Sequence, residues 1–272
     1  AITIRSIERS QGTPVYSGSL EIKGMPEGLV LVNDLYLEDY LTKVVPSEMP
    51  PSYEKEALKA QAVCARTYAY RQIQGNTYSQ YGAHVDDSTN FQVYNNTSAD
   101  DKSTQAVKET YGKMLFYEDK PIEAFYFSTS CGRTADAGVW GTDSGKYPYL
   151  RAAEVKEGGK SLGKEDNDGF ESYIKREDVI AYDTSYPMFR WQTDLPADVA
   201  SAQINGAGQI QDMTITDRGP GGIAGELSVT GTDGTVTIKG QSSIRATLGN
   251  PSLIITKKDG GTMTGSATLP SA

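Results

Sequence analysis

Three prolines within six residues, at positions 46, 50 and 51, bracket a single glutamate, Glu48. On the N-terminal side, Leu37, Tyr40, Leu41, Val44 and Val45 recur at helical spacing and make one apolar stripe. Asn33 or Asp34 is placed to cap that helix and Pro46 to stop it. A residue that precedes proline is pushed out of the α region, so 46–51 cannot be helical throughout. Beyond the prolines the spacing predicts the strongest helix of the chain, from Ser52 as N-cap to Ile73. Glu54 and Glu56 sit at its positive end, alanines fill its interior and Gly75-Asn76 follows it. The chain must therefore place two helices around a stiff turn, with Glu48 on that turn.

Around this pair the pattern is mostly β. Ile2–Ile7, Leu20–Lys23 and Leu29–Val32 read as strands separated by Gly, Pro and Ser. Gly82 to Tyr94 is polar and turn-rich. A third helix is expected after Ser98 and Asp101, which stand in capping-box spacing, with Gly112 at its end. Met114–Tyr117 and Ile122–Phe127 read as a hairpin around Glu118-Asp119-Lys120, and 155–169 as an exposed loop. Gln209–Thr216, Glu226–Thr230 and Thr235–Lys239 read as strands, with Asp233-Gly234 a strong hairpin signal between the last two. A short helix, Ser242 to Leu248, precedes a last strand, Leu253–Thr256. This order predicts an α+β fold, mostly antiparallel strands with a few helices, the longest following the Glu48 turn. The expected organisation is one domain over 1–257, or two packed lobes with strand-rich ends around a helical middle. A Gly/Ser/Thr-rich tail, 258–272, follows.

Composition excludes several functions. With 272 residues and a net charge of −9, the chain has no basic run to neutralise phosphates, which argues against nucleic acid as a partner. The same charge disfavours an anionic membrane surface, and no run of about 18 apolar residues is present. Any signal or anchor segment would lie outside these residues. Two cysteines and one histidine cannot build a four-ligand Cys/His zinc site, so no cofactor and no metal are expected. Seventeen tyrosines against six phenylalanines suit both half-buried strands and sugar clefts.

Glu48 stands out from its surroundings alone, because a stiff turn between helices can hold one side chain in one geometry. On the next helix Lys59, Val63, Arg66 and Tyr70 share a stripe. An apolar residue between two long cationic stems suggests a half-buried face whose charged heads reach an opening.

The run from Asp39 through Pro46-Ser47-Glu48-Met49-Pro50, followed by Glu56 to Tyr68 (EALKAQAVCARTY), resembles the signature of the SpoIID family. Similar blocks follow in order: Asp87-Ser88-Thr89 with Gln92-Val93-Tyr94, Ala106-Val107 with Thr110 and Gly112, and Ser128-Thr129-Ser130 with Gly132 and Thr134. Tyr147-Pro148-Tyr149-Leu150 and Ser243-Ile244-Arg245 with Leu248-Gly249 complete a resemblance that spans roughly 29–257.

The resemblance implies a lytic transglycosylase of the cell wall, extracytoplasmic and membrane-anchored in full length, acting on peptide-stripped peptidoglycan glycan strands during sporulation. It implies Glu48 as the catalytic residue, Lys59 and Arg66 as positions tied to activity, and Tyr149 and Arg151 as weaker substrate-binding carry-overs. One carboxyl suffices for that chemistry: it protonates the leaving oxygen, then takes a proton from the muramic 6-hydroxyl that attacks the anomeric carbon. Its pKa should be raised by apolar neighbours, for which Val44, Val45 and Met49 are candidates. A peptidoglycan amidase is the implied partner. Some relatives are amidase enhancers, so a non-catalytic wall-binding module is the alternative. A conventional muramidase using Asp86, Asp87 or Asp39 is a third. The sequence departs from zinc-binding family members, since His84 stands alone and Asn90 and Phe91 precede Gln92. It also departs at Cys64 and Cys131, where small residues are usual. As the only cysteines of an extracytoplasmic chain, they are expected to form a disulfide.

Overall fold

The computed structural model describes residues 2–8, 12–87, 91–95, 99–140 and 143–248, together with strand backbone at 256–258, 262–265 and 270–271; the side chains of 192–194 lie outside this description. The fold is α+β, and the chain divides into two compact units, Ala1–Tyr126 with Pro270–Ala272, and Phe127–Leu269.

The first unit opens with a short ladder, β1 (Ile2–Thr3) against β2 (Val15–Tyr16), and a hairpin, β3 (Ser19–Met25) with β4 (Gly28–Asp34). The expected strand Ile2–Ile7 is cut short because Ile7 N–H turns back to the Ile4 carbonyl at 3.1 Å. Helix α1 (Leu37–Glu48) follows from Tyr36, not from Asn33 or Asp34. Asn33 cannot cap it, since its amide donates to the carbonyls of Ser17 (2.7 Å) and Ser19 (3.0 Å).

Pro46 does not end α1 but lies inside it. Proline lacks the N–H that the carbonyl four residues back would use. The missing rung is that of the Thr42 carbonyl, and helical bonding continues beside it: Ser47 Oγ donates to the Lys43 carbonyl at 2.6 Å and Met49 N–H to that of Val45 at 3.0 Å. The helix stops at Met49, which is extended (φ −134°, ψ 125°) as a residue before Pro50 must be. Glu48 is therefore the last helical residue, not a loop residue. Helix α2 (Lys55–Ile73) starts after Glu54, two residues later than a Ser52 cap predicts, because a Pro50–Tyr53 turn intervenes. Helix α3 (Asp101–Glu109) is capped by Asp100, which accepts from the N–H groups of Lys102 (2.8 Å) and Ser103 (3.0 Å). Ser98 lies outside the described residues. The next hairpin, β5 (Phe116–Tyr117) with β6 (Lys120–Pro121), is shorter than expected. Its two-residue turn, Glu118-Asp119, takes left-handed φ values of 48° and 60°. Strand β7 (Tyr126–Phe127) comes next.

The three helices enclose one core: Leu41, Val44 and Val45 from α1, Leu58, Ala62 and Ala65 from α2, Ala106 and Val107 from α3, and Tyr94. The alanines of α2 let its neighbours approach closely. At the centre Arg66 is only 1% exposed. Its Nε and a terminal nitrogen hold both carboxylate oxygens of Glu38 at 2.7 and 2.8 Å. The same guanidinium donates to the carbonyls of Val107 (3.2 Å) and Lys113 (3.1 Å). One side chain of α2 thus grips the first turn of α1 and the carbonyl end of α3, where a cation also suits the helix dipole.

In the second unit, β8 (Trp191–Asp194) lies in a three-stranded antiparallel sheet with β12 (Thr256–Lys258) and β13 (Thr262–Gly265). The larger sheet is β9 (Ile210–Arg218), β10 (Ala224–Gly231) and β11 (Gly234–Lys239). Pairing of Gly231 with Gly234 makes Thr232-Asp233 the turn, one residue earlier than Asp233-Gly234. Cross-strand pairs Val229–Met213 and Leu227–Ile215 line its inner face. Against that face pack Ala200 and Ile204 of α5 (Ala197–Gln203) and its C-cap, and Ile244 and Leu248 of α6 (Gln241–Leu248). Helices α4 (Asn167–Ile174) and α5 go beyond the sequence reading, which has 155–169 as loop; Asp166 caps α4 through the Gly169 N–H at 2.8 Å. A smaller core joins Cys131, Phe170, Tyr173, Ile174 and Ile223. Gly222 (φ +88°) is required beside it, since a Cβ there would meet the Phe170 ring at 2.1 Å. Most of the expected strand Leu253–Thr256 lies outside the described residues.

The expected disulfide is not formed: Cys64 and Cys131 are both thiols. Cys131 is 0% exposed and serves as a small apolar residue of its own unit's core. Burial pushes the Cys64 thiol up from its ordinary pKa, which makes it a poor nucleophile at neutral pH.

Arg66→Lys should destabilise the protein nearly as much as Arg66→Ala, by about 3–5 kcal/mol, because Lys cannot hold Glu38 in bidentate fashion. Urea denaturation at neutral pH measures this; a loss below about 1 kcal/mol in both variants would mean that the clamp is dispensable.

Candidate active site

Glu48 ends α1 half-buried. Its Oε1 accepts the Val93 N–H at 2.7 Å, and its carboxyl is also hydrogen-bonded to the Tyr126 hydroxyl. Burial raises the Glu48 pKa above the ordinary carboxyl value, while the Val93 N–H and the Tyr126 hydroxyl pull it down in part. Its place at the carbonyl end of α1 also disfavours the charge.

The surroundings of Glu48 are tyrosines more than the aliphatic wall expected. Val44 and Val45 are fully buried in the helical core, with Met49 packed against it. Burial first, and the Glu48 charge among lesser causes, pushes up the phenols of Tyr40, Tyr68 and Tyr126. Tyr40 stacks on Tyr94 with ring centres 5.2 Å apart, and burial pushes Tyr94 up to about 12. Gln92, 1% exposed, links two of these tyrosines. Its Nε2 donates to the Ala65 carbonyl (3.3 Å) and to the Tyr126 hydroxyl oxygen (3.1 Å), and its Oε1 accepts from Tyr40 at 3.4 Å. Three consecutive residues, Gln92-Val93-Tyr94, thus reach α1, α2 and Glu48 from one extended segment.

The other expected site residues have different employments. Arg66 is committed to Glu38 and to helix carbonyls, so the expectation that it meets substrate is corrected. It grips α1 at Glu38, ten residues from Glu48, which is about 15 Å at helical rise. Lys59 pairs with Glu56 at 2.8 Å and with Glu109 at 3.7 Å on the surface of α2. In the second unit Tyr149 packs its ring edge-on to Tyr147 (6.1 Å), and the exposed Arg151 donates to the Pro148 carbonyl at 2.7 Å. Asp86 accepts from Tyr78 at 2.8 Å, and His84 is exposed. Among the described residues no three His, Cys, Asp or Glu side chains gather as metal ligands, and no helix is long and apolar enough to cross a membrane.

Sequence reasoning missed Tyr126 and Gln92 as companions of Glu48. Tyr126 reads as one strand residue among many, and its polar tip was the available signal. Gln92 enters only as part of a matching block. Both join Glu48 through folding, over separations of 78 and 44 residues in the chain.

An arrangement of one half-buried carboxyl of raised pKa, held by a backbone N–H and a phenol, fits general acid–base chemistry. Residues 26–117 match the family model described as SpoIID, stage II sporulation protein. It is 42% identical over 137 residues to stage II sporulation protein D of Bacillus amyloliquefaciens, covering 45% of this chain and 39% of the relative. To the protein of the same name in Bacillus subtilis (strain 168) it is 37% identical over 162 residues, 52% of this chain and 47% of the relative. A protein named amidase enhancer, also of Bacillus subtilis, is 36% identical over 169 residues, 61% of this chain and 21% of the relative. The chain spans less than half the length of each of these curated relatives. Glu48, the Arg66 clamp and Gln92 fall inside the family segment, whereas Tyr126, Tyr149 and Arg151 lie beyond it.

Because folding raises the Glu48 pKa, the folded state holds this proton more tightly than the unfolded chain does. The resulting stability is complete below the ordinary carboxyl pKa and is lost as pH rises through the folded value. Glu48→Gln removes that loss. Denaturant melts from about pH 4 to about pH 8 should therefore show the variant gaining on wild type as pH rises. A difference that stays constant with pH would show that folding leaves the Glu48 pKa unchanged.

Proposed function

We propose that the chain is a lytic transglycosylase of the bacterial cell wall, with Glu48 as its acid and base and peptide-stripped peptidoglycan glycan strands as substrate. The observation that carries this reading is the half-buried Glu48 carboxyl, kept protonated to higher pH by burial. Protonated, it donates to the glycosidic oxygen as the bond to the muramic anomeric carbon breaks. The resulting carboxylate takes the proton of the same sugar's 6-hydroxyl as that oxygen bonds to the anomeric carbon. One proton leaves the carboxyl and one returns, so no second carboxylate and no water are consumed.

The names of the relatives support a setting in sporulation, and the amidase enhancer supports cooperation with an amidase that strips stem peptides. In this reading the protein acts outside the cytoplasmic membrane, facing the wall. Lys59, Tyr149 and Arg151 are proposed substrate contacts, with Lys59 exchanging Glu56 and Glu109 for sugar acetamido or lactyl groups. A second reading rests on the amidase enhancer, whose match covers more of this chain than the two sporulation proteins do. In it the chain binds glycan without cutting and stimulates a partner amidase.

Incubating the protein with purified peptide-free glycan strands and weighing the products separates these readings. Anhydro-muramic ends are expected from wild type. Reducing ends would indicate hydrolysis, with Asp39, Asp86 or Asp87 as a second carboxylate, and intact strands would favour the enhancer. Glu48→Gln should lower turnover at least about 1,000-fold while still binding glycan, the scale expected when an essential proton donor is lost. Cleavage by this variant at the wild-type rate would overturn the mechanism.

A further inference from the structure

The hydrogen bonds around Glu48 run in one direction, and that direction has a chemical consequence. The Ala65 carbonyl can only accept, which fixes the nitrogen of the Gln92 amide at that position, 3.3 Å away. The same nitrogen lies 3.1 Å from the Tyr126 oxygen. An amide nitrogen cannot accept, so Tyr126 receives a proton from Gln92 and must turn its own hydroxyl hydrogen elsewhere. The Tyr40 hydroxyl, donating to Gln92 Oε1 at 3.4 Å, holds the amide from its other end. Tyr126 is also hydrogen-bonded to Glu48. That contact pulls the Glu48 pKa down and pushes the Tyr126 pKa up, the effect of a hydroxyl that donates to the carboxyl. The other contact of Glu48, from the Val93 backbone at 2.7 Å, is a donor as well.

We infer that Tyr126 and Gln92 are positioning residues for Glu48, forming a one-way chain of donors that ends on its carboxyl and leaves the acid's own proton directed away from them. The Val93 N–H cannot receive that proton, and the Tyr126 hydroxyl does not while it donates to the carboxyl. The proton must sit on a lone pair that these donors do not occupy, available to a glycosidic oxygen. Once the proton has gone, the same two donors stabilise the carboxylate until it takes a proton from the attacking hydroxyl. The chain serves both halves of the cycle without moving. This inference deepens the glycan-cleaving reading of Glu48 and rests on it.

The ionisable groups acting on this cluster are Glu48, Tyr40, Tyr68 and Tyr126, with Tyr94 and Asp86 acting on Tyr40 and Glu123 on Tyr68. Tyr126→Phe keeps the ring and deletes one donor to Glu48. Gln92→Met keeps the volume and releases the Tyr126 hydroxyl to rotate. With peptide-free glycan strands, kcat should fall by about 10- to 100-fold in Tyr126→Phe, the range for loss of a hydrogen bond to a charged group. The alkaline limb of its pH–rate profile should move to higher pH, because the carboxylate has lost a stabilising donor. Gln92→Met should move the limb in the same direction by less. A purely structural role would lower the rate at every pH and leave the limb in place.

Carbon-13 carboxyl NMR of glutamate-labelled protein, with Glu48 assigned by its absence in Glu48→Gln, reads the same titration without turnover. An unchanged Glu48 titration in folded Tyr126→Phe would overturn the donor chain and leave the glycan-cleaving reading standing. An upward shift in a protein that never cleaves glycan would support the chain of donors and overturn the enzymatic reading.

Discussion

A guanidinium without water must be satisfied by the protein around it, and the first unit is arranged around that demand. Arg66, at 1% exposure, takes both oxygens of Glu38 and the carbonyls left open at the end of α3. Removing either partner would strand a charge in the interior, which costs several kcal/mol, so the three helices are committed to one mutual arrangement. The aliphatic core alone would tolerate sliding, because leucine, valine and alanine contacts are non-directional. The bidentate pair is directional and sets the axial position of α1. Glu48, at the opposite end of that helix, inherits its position from a contact about three turns away.

This explains how a residue can matter to a site that it does not touch. From sequence, Lys59 and Arg66 share a stripe and invite one role. The structure gives them different ones: Arg66 is enclosed, while Lys59 shares carboxylates on the surface. Spacing along a helix says which residues share a face. Whether that face meets solvent, substrate or another helix depends on α3, forty residues further on, and no local pattern in α2 encodes it.

The legible parts of the fold were those where a local rule has no competitor. The hairpins around Glu118-Asp119 and after Gly231, the Met49–Pro50 break and helices α2 and α6 follow from turn chemistry, proline sterics and periodicity. The errors came where tertiary contacts outbid a local rule. Pro46 stays helical, with bonds from Ser47 and Met49 continuing beside the missing rung, and Asn33 is occupied by strand carbonyls instead of capping α1. Helix α4 begins inside a Gly- and Lys-rich stretch whose local composition reads as loop. The pairing of Cys131 with Cys64 rests on compartment and on their being the only two cysteines, but burial in an apolar cluster is the commoner fate of a small sulfur side chain.

In the candidate site, Glu48 was legible because two prolines frame it, and its companions were not, because they are brought in by folding. That difference reflects a division of labour in the chemistry. A carboxyl acid must lose its proton in one half of a glycosidic transfer and regain one in the other, so its environment must not favour either state strongly. Burial alone would hold Glu48 protonated, and two donors alone would hold it charged. Each opposes the other, and burial, the larger effect, leaves the pKa raised. The burial comes from helices α1 and α2 and from the tyrosine rings, whereas the donors come from the 91–95 segment and Tyr126, elements distant in sequence. Setting one effect against the other needs contributions that can be varied independently. Separate chain segments supply this, and for the same reason a single motif around the glutamate does not reveal it.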